Sequence, residues 1–118
     1  AHAGLLREGG IQTSTEIDLS VIATASGDGG VPIGGLLIDF VDATMSADRE
    51  EIDRVRKKLV DLIGARGVVD AAAVMGIFQW NTRAADATGI LVEERTRSGR
   101  NKIGNAFGFD TRIDGLAP

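Results

Sequence analysis

The stretch from Val68 to Gly89 constrains this chain most. Valine, alanine, methionine, isoleucine and phenylalanine follow one another there with few polar interruptions. The pattern predicts one long, mostly buried helix of about 22 residues, about 33 Å at 1.5 Å per residue. A chain organised around such a helix is expected to be all-α. At 100° per residue, Val74, Phe78, Asn81, Ala85 and Thr88 share one face. Asn81 near the middle of that apolar stripe must find hydrogen-bond partners, either on a neighbouring backbone or in a ligand cavity. The opposite face carries Ala72, Gly76, Gln79 and Arg83. Its small residues invite close helix packing, and Arg83 is expected to meet a carboxylate or to grip an anionic ligand. Trp80 lies off both faces and reads equally as interface, cavity wall or core.

The rest of the composition fits one domain of 118 residues, 43% apolar and 25% charged. At this size about two-thirds of the unfolded surface is buried, with no need for metal or disulfide support. Thirteen basic and 17 acidic residues leave a net charge of −4, a poor balance for neutralising phosphates, so no nucleic-acid partner is expected. Arg95, Arg97, Arg100 and Lys102 stand beside Glu93 and Glu94 and read as a solvated connection. The absence of cysteine excludes disulfides and thiol chemistry within this chain. With one histidine, no metal site is expected, and no cofactor either. No signal peptide or membrane-length apolar run is visible, so the expected location is cytoplasmic, with no membrane partner.

Upstream of the long helix, residues 1–8 look helical and should stop at Gly9-Gly10. If so, the chain begins inside a helix. Thr13 and Glu16 have the spacing of a capping box for a helix carrying Ile17, Val21 and Ala25. The Gly27–Gly30 segment lacks the Gly-Lys-Ser/Thr ending of a phosphate loop and reads as a flexible surface loop. Pro32 suits a first helical position, and Ile33, Leu36, Leu37, Phe40 and Thr44 predict a core helix over 33–45. Asp39 and Asp42 fall on its outer side. Ser46 is the expected N-cap of the next helix, whose core face is Ile52, Val55, Leu59, Leu62 and Ile63. Glu50–Arg54 and Asp53–Lys57 are expected i,i+4 pairs. Gly64 and Gly67 should end this helix.

An amphipathic helix, a glycine break, an alanine-rich helix and then Asn81, Arg83, Ala84 and Gly89 together resemble the C-terminal half of the carboxymuconolactone decarboxylase / alkylhydroperoxidase D superfamily. His2, Leu6 and Gly10, spaced four apart, resemble the end of that family's motif helix. The resemblance covers roughly residues 1–92. It implies a helical domain lacking its N-terminal part, with 93–118 as a polar, Gly-rich C-terminal arm packing on the domain or on a neighbouring subunit.

The family is all-α and assembles through long helices, which implies a homo-oligomer. Its peroxidase-like members carry Glu-x-x-Cys-x-x-Cys-x-x-x-His, where a low-pKa thiolate attacks the oxidant and a second thiol resolves it. If His2 is the motif histidine, the glutamate and both cysteines would precede residue 1. Three accounts compete: a cleaved or truncated peroxidase-type oxidoreductase whose N-terminal part is a separate partner, a cysteine-free decarboxylase-type lyase, and a helical oligomerisation module without catalysis. The chain's opening at a motif position favours the first. His2 then becomes the catalytic candidate, as a proton relay titrating near neutrality. Trp80, Asn81 and Arg83 are the ligand-binding candidates, and Glu8 and Glu16 are spare carboxylates for a lyase.

Overall fold

The computed structural model describes residues 2–90 and 94–106. Five helices follow in order: α1 (His2–Gln12), α2 (Val21–Thr24), α3 (Gly34–Ser46), α4 (Arg49–Thr88) and α5 (Glu94–Ala106). No strand occurs among the described residues, so the fold is all-α. None of these helices is long and apolar enough to cross a membrane.

The core forms where α3 packs on α4. Phe40 meets Val55, Leu59 and Val68 in one buried cluster, with Ile33, Leu36, Leu37, Ala71, Ala72 and Met75 around it. Val55 and Leu59, one turn apart, are fully enclosed. Leu62, expected in the same core face, is 62% exposed because the helix ends its packing just beyond Leu59.

One glycine makes this arrangement possible. A straight helix of 40 residues would run about 60 Å, yet the molecule's greatest extent is 46 Å. The helix breaks at Gly64, whose φ of 74° and ψ of 167° are open essentially to glycine alone. The break turns the distal half of α4 so that Val68 returns to the cluster of Val55 and Leu59. Gly67, the other expected breaker, stays helical. It serves packing instead, since a Cβ there would press on Ile63 at 2.9–3.0 Å.

The ends of α4 are chemically marked. Asp48 adopts an extended conformation and its carboxylate accepts from the Glu51 amide at 3.1 Å. Ser46 is therefore not the N-cap. It is the last residue of α3, and its hydroxyl donates to the Ala43 carbonyl at 2.9 Å. Ala47, left-handed at φ 58°, turns the chain between the two helices. At the far end Gly89, at φ 66°, closes α4 by donating to the Ala85 and Asp86 carbonyls. Arg54 pairs with Glu51 and Arg56 with Asp53. Both are i,i+3 pairs, replacing the expected i,i+4 ones, because each guanidinium reaches back across a single turn.

The N-terminal region departs further from expectation. Gly9 and Gly10 do not end α1, which continues to Gln12. Gly10 is buried, and a Cβ on it would lie 2.5 Å from Ile17 and 2.7 Å from the Thr15 carbonyl. The Thr13 hydroxyl donates back to the Gly9 carbonyl at 3.0 Å. It is thus occupied by the last turn of α1, no capping box forms, and only the single turn of α2 follows. The Gly27–Gly30 segment is tied down rather than loose. Asp28 accepts the Gly35 amide at 2.8 Å, Gly29 accepts the Asp18 amide at 3.0 Å, and a Cβ on Gly30 would collide with the Glu16 carbonyl. Pro32 precedes α3 without entering it, and Ile33 caps the helix from a left-handed conformation at φ 56°.

The segment after residue 93, expected to be a loop or extended arm, begins as α5. Glu, Arg and Lys are good helix formers, and the helix carries Gly99 and Gly104 at a cost of about 1 kcal/mol each relative to alanine. Residues 107–118 of the expected arm, with Phe107 and Phe109, lie outside the described residues.

Candidate functional site

Two helices build a concavity among the described residues. The distal half of α4 turns Val68, Ala71, Ala72 and Met75 toward the core. Val74 and Phe78, 100° or so around the helix, do not complete that core. They face an open groove of about 520 Å3 between α4 and α3. Leu37, Phe40 and Val41 form its α3 wall, and Ala71, Val74, Met75 and Phe78 its α4 wall. Its lining is apolar apart from Asp70 near one end and Gln79 near the other. A concave apolar surface with a carboxylate and an amide suits an organic molecule with a polar end.

The sequence-derived candidates fall elsewhere. Asn81 is exposed, so it is not a buried amide in an apolar stripe. A helix that is apolar on nearly every side has no periodicity to say which side meets the core. On the opposite face, expected to pack closely on another helix, Ala72 does pack on the core and Gln79 is half-buried at the groove, while Gly76 and Arg83 are exposed. Trp80 is 70% exposed. None of Trp80, Asn81 and Arg83 lines the groove. His2 is the first residue of α1, and its side chain lies outside the described residues. Among the described residues, no group of three or more His, Cys, Asp or Glu side chains could hold a metal ion. Sequence reasoning missed the groove residues Val41, Asp70 and Met75, which carry no signal until α3 is placed against α4.

The perturbed carboxylates serve local structure, away from the groove. Asp18 is held below the usual carboxylate range by hydrogen bonds from Ser20, side chain first and then backbone, the amide at 2.9 Å. Glu51 is lowered by its hydrogen bond from Arg54, which is raised in turn by the same contact.

Two features of the surface remain. Much of the exposed apolar surface is on distal α4, at Val69, Val74, Ile77, Phe78 and Trp80. Gly76, within that helix, is exposed and a Cβ on it would meet nothing within 4 Å. A glycine in a helix interior costs about 1 kcal/mol relative to alanine, and no contact among the described residues offsets it. Comparison of the chain with models of known protein families, with curated proteins and with solved structures returned no match.

Proposed function

We propose that this chain is the helical body of a carboxymuconolactone decarboxylase / alkylhydroperoxidase D-like protein, of the peroxidase-type oxidoreductase kind, working as a homo-oligomer. The observation that carries this reading is the groove between α3 and distal α4, whose apolar walls suit the organic part of a hydroperoxide. Asp70 and Gln79 offer hydrogen-bond partners to its polar end. The family-like residues Asn81, Arg83, Ala84 and Gly89 lie on the same helix or at its cap. In this reading His2 relays a proton. The chain has no cysteine, so thiolate attack and its resolution take place on cysteines outside this sequence. This chain's own part is to hold the substrate and to assemble.

The test is a titration with cumyl alcohol, the stable product of cumene hydroperoxide, followed by backbone amide NMR shifts. Saturable shifts at Leu37, Val41, Val74 and Met75, abolished by Val41→Trp in a variant of unchanged helicity, are expected. Shifts elsewhere, or none, would sink the groove assignment. Turnover of cumene hydroperoxide with dithiothreitol by this cysteine-free chain alone would overturn the thiol mechanism. A second reading, a helical assembly module without catalysis, is favoured by the exposed apolar face of distal α4. It expects no binding in the same titration.

A further inference from the structure

Distal α4 has a third apolar side, distinct from its core side and from the groove. Val69, Ala73, Gly76, Ile77 and Trp80 follow at spacings of four, three, one and three, and so gather on one strip of the helix surface. All five are exposed, Val69 at 66%, Ile77 at 57% and Trp80 at 70%. An apolar strip on a helix calls for a covering surface. Among the described residues, the chain's own elements cover only the helix's core side.

We infer that this strip pairs with the same strip of a second copy, antiparallel about a two-fold axis near Gly76 and Ile77. The inference rests on the homo-oligomer part of the reading above and names its surface. Three observations carry it. The first is area: the strip leaves on the order of 500 Å2 of apolar surface in water, against about 800 Å2 per partner in a standard interface. The strip thus supplies the apolar centre of such an interface, with the remainder falling to the residues around it. The second is self-complementarity, which a two-fold contact requires. With the axis between residues 76 and 77, position i faces position 153 − i. Trp80 of each copy then lies opposite the partner subunit's Ala73 and beside the partner's Gly76, a large ring over two small residues. Ile77 of each copy faces the partner's Gly76 beside the axis. The third is Gly76 itself: among the described residues nothing compensates its helical cost, and a close neighbour from a second copy supplies that compensation.

Sedimentation equilibrium of the full chain, with the emission of its single tryptophan followed on dilution, tests this. The wild type should be dimeric or larger at micromolar concentration, and Trp80 emission should shift to the red as it dissociates. Trp80→Ala should weaken association at least tenfold. Gly76→Leu meets no internal neighbour, so it should keep full helicity while weakening association by a similar factor. A stable monomer at every concentration would overturn both this inference and the homo-oligomer reading. An oligomer unaffected by both substitutions would overturn the strip alone and leave assembly through another surface.

Discussion

Gly64→Ala is the substitution that most directly probes how this fold is held. At φ 74° and ψ 167° an L side chain costs about 1–3 kcal/mol. A Cβ there meets nothing within 4 Å, so the cost is backbone strain alone, with no clash to add. Restricting the unfolded chain returns about 0.4–1 kcal/mol, leaving a net loss of roughly 1–2 kcal/mol. Straightening α4 would relieve the strain, but Val68 would then leave Phe40, Val55 and Leu59. Each such side chain returned to water costs about 1.5–3 kcal/mol, so the bend is the cheaper state and persists under strain. Urea unfolding followed by far-ultraviolet circular dichroism measures the effect. A fall in midpoint of about 0.5–1.5 M is expected for a typical slope. Gly9→Ala is the control: it sits in α1 with equally open surroundings and no positive φ, so it should hold or raise stability. A Gly64→Ala protein as stable as the wild type, with an unchanged slope, would refute the account of the bend.

Leu59→Ala removes a fully enclosed side chain from the α3–α4 cluster and should cost about 3 kcal/mol, read from the same urea transitions; a loss under about 1 kcal/mol would show that this cluster is not the core. Acid should weaken the fold in a defined way. Glu51 is lowered in the folded state by Arg54, so its contribution is complete above its unfolded pKa and disappears as pH falls through the lower, folded value. Asp18, lowered by Ser20, behaves alike. The urea midpoints of wild type and Glu51→Gln should therefore differ at neutral pH and converge in acid, and a gap that widened in acid would reverse the sign argued here.

The low yield of the candidate site from sequence has a physical cause. Asn81 and Arg83 stand out in the sequence because polar residues interrupt an apolar run, but exposure makes both ordinary surface residues. The groove is built from Leu37, Val41, Val74 and Met75, residues that look like plain core in one dimension. What distinguishes them is only that α3 and α4 leave a space between them.

Local chemistry was sufficient for much of the rest. Helix type over 34–46 and 49–88 follows from apolar spacing, and the break at Gly64 and the end at Gly89 follow from glycine's access to positive φ. That this chain contributes no cysteine is read from composition alone. Tertiary structure decided the remainder. Whether Gly10 and Gly67 break a helix or admit a neighbour depends on Ile17 and Ile63 standing against them. Whether Thr13 caps a new helix or closes the old one depends on which carbonyls lie within reach. Above all, the long helix was legible as apolar but not as oriented. Periodicity specifies a face only when some other face is polar, and on distal α4 the core side, the groove side and the open Trp80 side are chemically alike until α3 covers one of them.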